Sequence, residues 1–223
     1  MKLEKWLYKL EWKYGKYAVH GLMNIIITGM VIVYVMDNFI CPMAGKEAIS
    51  PLIVFSRDAI MHGQVWRIIS FIFIPFQTTP IFLIFTFYFY WLIGQIMESN
   101  WGTFKFNIFY LSGIIGTIIG GFITGFTSNY FLTFSLFIAF ALIAPDFQML
   151  LFFFIPIKIK YLAMLDAVFM IISFFYSGLP GKVAIIMSLI NLAIFFGGDF
   201  RQRMKMKIHH WKYKIKYKIQ KTK

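Results

Sequence analysis

The chain has 223 residues, of which 60% are hydrophobic and only 14% are charged. No water-soluble domain hides that share of apolar side chain, so composition puts the chain among membrane proteins. The net charge of +13 does not mark a nucleic-acid binder, because most of it crowds the two ends beside apolar runs, where it acts as a topology signal. Cys41 is the lone cysteine, which excludes an internal disulfide. A cleaved leader is not expected, since the first apolar run begins near Gly21 and no small-residue cleavage site follows. No internal repeat, nucleotide loop or metal-ligand spacing is present, so neither a cofactor nor a metal is expected.

Residues 1–20 place Leu3, Trp6, Leu7, Leu10, Tyr14 and Tyr17 at three- and four-residue steps, with Lys2, Lys5, Lys9, Lys13 and Lys16 between them. That spacing predicts an amphipathic helix lying in the membrane interface with snorkelling lysines. Residues 21–200 form the membrane domain. A first span is predicted over Leu22–Ile40. A loop over 41–67 is too polar to cross, and Ile68–Phe76 is too short, since about 20 residues are needed. It therefore serves as the entry to a second span near Pro80–Met97. A third span is predicted over Thr103–Gly125, a short fourth over Tyr130–Ala144, a fifth over Lys160–Tyr176 and a sixth over Lys182–Gly198. A span as short as the fourth implies local thinning of the bilayer or burial inside the bundle. In the third, Ser112, Gly116, Gly120 and Thr124 line one face, and Gly113, Thr117, Gly121 and Gly125 another. Such small faces let helices touch backbone to backbone, chiefly within one chain.

With six spans and both termini on one side, only Lys46, Arg57, Arg67 and Lys182 of the 22 basic residues fall in the opposite loops. The positive-inside rule then puts both termini in the cytoplasm.

Glu98 lies four residues from Gly94 and four from Gly102, which sets the three near one helix stripe. A glutamate there is costly in lipid and must find a donor. The glycines would let neighbouring backbone approach closely enough to supply it.

Trp66-Arg67, Gly94-x-x-Met97-Glu98-x-x-x-Gly102 and Phe109-Tyr110-Leu111-Ser112-Gly113 together resemble the rhomboid superfamily, from its first luminal loop to its third helix. Ala139–Pro145 and Leu151–Lys158 resemble the end of that family's fourth helix and the loop after it. The resemblance spans roughly residues 50–200 and implies an all-α, six-helix rhomboid-like bundle. Active rhomboids cut peptide bonds within the membrane, with a serine in a Gly-x-Ser-Gly setting at the start of the fourth helix and a histidine base on the sixth.

Those parts are missing here. The histidines are His20, His62, His209 and His210, none in a predicted span. The family spacing sets the nucleophile position at Tyr130 and the oxyanion-binding positions at Phe82 and Thr86. The sixth span offers Ser188 and Asn191, and an asparagine cannot serve as a base. Nucleophilic catalysis needs a base within hydrogen-bond reach, and each lost oxyanion donor costs about a hundredfold or more. The resemblance then implies an inactive, derlin-like pseudoprotease. Such proteins bind transmembrane clients and perturb the local bilayer in quality control, retention or chaperoning. Two other classes stay open: an intramembrane serine protease using Ser135 or Ser188, and a small-solute transporter, for which Asp166 and Asn191 would be the polar elements.

Asp166, inside the fifth span, is expected to make a structural hydrogen bond near the cytoplasmic interface. Asp37 and Asn38 are expected among headgroups, and Asp146 in solvent. Arg67 could meet a phosphate headgroup or a loop carbonyl, with Trp66 as an interfacial anchor. The tail, 201–223, is basic. Trp211, Tyr213, Ile215, Tyr217 and Ile219 alternate with Lys212, Lys214, Lys216 and Lys218, so an extended chain would face rings to one side and lysines to the other. Anionic lipid is the expected partner for both basic termini. The composition suits a bacterial plasma membrane.

Overall fold

The computed structural model describes residues 2–75, 79–151 and 155–197. The expected lipid contacts of Trp211 to Lys218 therefore lie outside the described residues. The protein is 79% helical. Helix α1 (Lys2–Tyr14) leads through a tight turn at Gly15–Tyr17 into α2. Among the described residues, five helices are long and apolar enough to cross a membrane: α2 (Leu22–Met43), α3 (Pro80–Trp101), α4 (Thr103–Thr124), α6 (Ile159–Tyr176) and α7 (Leu179–Gly197). Between them, α5 (Tyr130–Ile143) is apolar but only 14 residues long. The chain is an integral membrane protein of the all-α class.

Helix α2 runs past its expected end at Ile40. Met36–Ile40 form a single wide π-helical turn, and Pro42 falls in the turn after it. Proline has no N–H and clashes with the carbonyl four residues back, and a π-turn accommodates such a breaker inside a helix. Helix α3 likewise continues beyond Met97, so Glu98 stands in its last turn. Gly102 ends it with φ +82° and ψ 150°, a region open essentially to glycine alone. Gly102 is thus conformational, and does not share a packing stripe with Gly94 and Glu98 as the spacing suggested. Helix α7 starts three residues before its expected start, with Pro180 in its first turn, where the missing N–H costs nothing.

The helices gather around one core of fully buried side chains, including Met23, Met30, Ile93, Met97, Phe106, Phe109, Leu136 and Phe140. Both small faces of α4 are used inside the chain. A Cβ at Gly113 would lie 2.5 Å from Leu132 of α5, and one at Gly120 would lie 3.3 Å from Val183 of α7. A Cβ at Gly121 would lie 2.5 Å from the buried ring of Phe55. Phe55 belongs to β1 (Phe55–Ser56), which pairs antiparallel with β2 (Phe126–Thr127), so the loop after α2 is tied to the end of α4. A second antiparallel pair, β3 (Gln148–Leu151) with β4 (Ile155–Lys158), forms a hairpin between α5 and α6. The family resemblance suggested only a loop there.

The segment before α3 is not a span. Arg67–Ser70 make one helical turn and Phe71–Phe73 a 3-10 turn, with Phe71 and Ile72 buried. Phe73 packs on α2 so closely that a Cβ at Gly29 would meet its ring at 2.2 Å. The two ends of the bundle are distinct. At one end lie α1, the α3–α4 corner and the β3–β4 hairpin. Residues 44–75 and the β1–β2 pair form the other.

Candidate functional site

Helix α5 carries Tyr130, the position that the family resemblance gives to the nucleophile, and its first turn is held by a polar chain. The buried Asn129 amide donates to Ile72 O and Ile74 O, both at 3.0 Å. Asn129 O accepts from the Thr133 hydroxyl at 3.1 Å, and that hydroxyl meets Tyr90 OH of α3 at 2.5 Å. These bonds fix the start of α5 beside the middle of α3. Sequence reasoning passed over Asn129 and Thr133, because each reads locally as a turn residue and an ordinary helical threonine.

The positions expected to carry chemistry are not gathered into a site. Ser135 is fully buried and donates to Leu132 O at 2.8 Å. Ser188 is buried and donates to Ile185 O at 3.2 Å. Each hydroxyl donates to its own helix, three residues back. Asn191 is 3% exposed and bridges α7 to α4: its Oδ1 accepts from Ser112 Oγ at 2.7 Å, and its Nδ2 donates to Phe109 O at 3.2 Å. It occupies the notch left by Gly113, where a Cβ would lie 3.0 Å from its Nδ2. Phe82 is exposed on the outer face of α3, and the Thr86 hydroxyl donates back to Phe82 O at 2.9 Å. Tyr130 is partly exposed at the head of α5. His20 and His62 lie outside the spans, bonded to Thr103 Oγ1 and Asp58 O respectively.

Two carboxylates on spanning helices differ sharply. Glu98 reaches across to the start of α2: its Oε2 accepts from Gly21 N at 3.1 Å and its Oε1 from Leu22 N at 3.2 Å. It thereby satisfies two of the N–H groups a helix start leaves open, where a negative charge is also favoured. Gly94, one turn earlier, makes the approach possible. A Cβ there would stand 2.8 Å from Met23 Cβ. Asp166 is only 6% exposed. Its Oδ2 is buried with no hydrogen-bond partner among the described residues, which corrects the expected structural hydrogen bond. It stands on α6, which packs against α5. Gly94, one turn from Glu98, marks that carboxylate in the sequence as one a neighbouring backbone could reach, and Asp166 has no glycine within four residues.

The loop segment 44–75 is built on two ionic side chains. Arg67 is 7% exposed. Its Nη1 donates to Pro51 O at 2.9 Å and Val54 O at 2.8 Å, and its Nε donates to Gln64 Oε1 at 2.6 Å. It binds loop carbonyls, the second of its two expected roles. Trp66 Nε1 donates to Leu52 O at 3.1 Å while its ring stays over half exposed. Asp37 accepts from Ile49 N at 2.6 Å, from Ser50 N and from the Ser50 hydroxyl. It thus holds the first turn of the short helix Ser50–Ile53. Asn38 donates to Tyr34 O within α2. Asp146 is solvated and faces Lys160 at 3.0 Å and Lys158 at 3.5 Å. The hydrogen bond and charge of Lys160, helped by Lys158, hold its carboxyl below the usual carboxylate range.

No family model, curated protein or solved structure matches this chain.

Proposed function

We propose that the protein is a catalytically inactive, rhomboid-like membrane protein of six spans, with α5 as the short sixth, that binds transmembrane clients and distorts the bilayer around them. The observation that carries this is the length of α5. At about 1.5 Å per residue its 14 residues reach about 21 Å, against a hydrocarbon core of about 30 Å. A helix that short within a ring of longer ones draws the bilayer thin beside it. Asp166, without a hydrogen bond on Oδ2 and on α6, which packs against α5, gives that region a polar group that a client helix could satisfy. The spent hydroxyls of Ser135 and Ser188 and the fully engaged Asn191 weigh against proteolysis. The distribution of lysine and arginine supports both termini in the cytoplasm, and the composition supports a bacterial plasma membrane. Handling of clients for quality control, retention or chaperoning fits this arrangement.

The test is photo-crosslinking in native membranes from a probe amino acid at Phe82 or Tyr130. Adducts with membrane-spanning segments of other proteins are expected, and they should weaken in Asp166→Leu. Adducts with lipid alone would overturn client binding. A serine-dependent product from a membrane-anchored reporter would overturn the inactive assignment.

A further inference from the structure

A groove of about 420 Å³ opens between α1, α2 and α4, on a different side from the α5 region. Its volume falls within the range of small-molecule sites. Tyr14, Tyr17 and Val19 line its end beside α1, taken as the mouth, and Phe73, Ile114 and the half-exposed Ile25 line the remainder. The walls are almost wholly apolar, and one polar residue, Asn107, sits near the mouth. Asn107 Nδ2 donates to Val19 O at 3.1 Å. Its Oδ1 is buried and has no hydrogen-bond partner among the described residues, a poor state for an acceptor until a donor reaches it.

Charge is placed at the mouth and not in the depth. Lys13 Nζ stands 5.2 Å from the centre of the Tyr14 ring, and Lys16 Nζ stands 4.9 Å from that of Tyr17. These cation–π contacts hold both ammonium groups beside rings that line the groove. Glu11, the nearby acid on α1, lies instead against Gly102. The mouth therefore presents cations and an unfilled acceptor, and the depth presents hydrocarbon.

We propose that this groove holds one anionic phospholipid. An acyl chain lies along Ile25, Ile114 and Phe73, the phosphate meets Lys13 and Lys16, and a headgroup hydroxyl supplies the donor Asn107 lacks. A groove of this volume admits a single chain but not a client helix about 10 Å across. The site stands whether or not the protein binds clients. It also differs from diffuse attraction of the basic tail to a charged surface, because it needs a shaped apolar slot.

Native mass spectrometry of the full chain in mild detergent tests it, with equal dioleoyl-phosphatidylglycerol and dioleoyl-phosphatidylcholine added. One phosphatidylglycerol should be retained in preference to phosphatidylcholine. The double variant Lys13→Gln/Lys16→Gln should lower that preference roughly tenfold or more, given two cations near the headgroup. Leu111→Trp, at a half-exposed wall position, should fill the slot and abolish retention. Replacing Lys212, Lys214, Lys216 and Lys218 by glutamine should leave retention intact. Equal retention of the two lipids by the unmodified protein would overturn the proposal. So would retention that survives the lysine double variant or disappears with the tail lysines.

Discussion

The α2–α3 corner and the α5–α6 contact each place a carboxylate within a spanning helix, and they treat it in opposite ways. At the corner, Glu98 meets two backbone N–H groups at the start of α2. At the contact, Asp166 is buried more deeply than the half-buried Glu98 but keeps an oxygen without a hydrogen-bond partner among the described residues. The difference teaches that burial of a charged residue does not by itself reveal a structural role. A carboxylate that stabilises has donors, whereas one that lacks them is held by the fold at a cost and is available to something else.

The largest effect should come from closing the corner's gap. Gly94→Leu drives a side chain into Met23, whose Cβ already lies 2.8 Å from where a Cβ would stand. We expect a loss of about 3 kcal/mol, or failure to fold. Glu98→Ala leaves the N–H groups of Gly21 and Leu22 without their acceptor and should cost about 2 kcal/mol. Thermal melting in detergent measures both, and unchanged midpoints would show that the corner is not what holds α2 to α3.

Arg67→Ala extends the comparison to the loop end, where it strands Pro51 O and Val54 O. About 2 kcal/mol of local stability should go, read as faster proteolysis within residues 44–66. Arg67→Lys should restore little, because lysine lacks the planar fork that serves three acceptors at once. Equal resistance of all three proteins would remove the arginine from this account.

Asp166→Leu should act with the opposite sign. Removing a buried carboxyl that lacks a partner should raise stability by about 1 kcal/mol. A lowered melting temperature would mean that Asp166 is stabilised as Glu98 is, and the contrast between the two regions would collapse.

The smallest effect should be at Asp146, whose carboxylate is exposed between Lys158 and Lys160. Its lowered pKa means that any contribution is present above the ordinary carboxylate range and is lost as pH falls through the lowered value. Screened by solvent, Asp146→Ala should leave the melting midpoint unchanged at neutral pH. A clear drop would show the hairpin end to be more tightly built than its exposure suggests.

Much of this architecture can be read locally. Composition assigns the membrane class, and hydropathy locates the helices to within a turn or so. Gly102 announces the α3–α4 corner, although its positive φ, rather than packing, is the reason. The histidine positions place no base within a predicted span, and that follows from residue order alone. Asn129 and Thr133 escaped notice because short polar side chains look the same whether they cap their own turn or bridge two elements.

Pairing required the folded chain. Glu98 and Leu22 are 76 residues apart, and Asn191 lies 79 from Ser112. Whether such groups meet depends on which faces the helices bury against one another. Asp37 illustrates the same limit: its position at the end of a span does not reveal that the loop folds back and brings it the N–H groups of Ile49 and Ser50. Local sequence determined where the chain becomes helix and where charge is tolerated, because propensity and hydropathy act over a few residues. Only the tertiary structure decided which buried polar groups are satisfied, because that requires two distant segments to arrive at hydrogen-bond distance together.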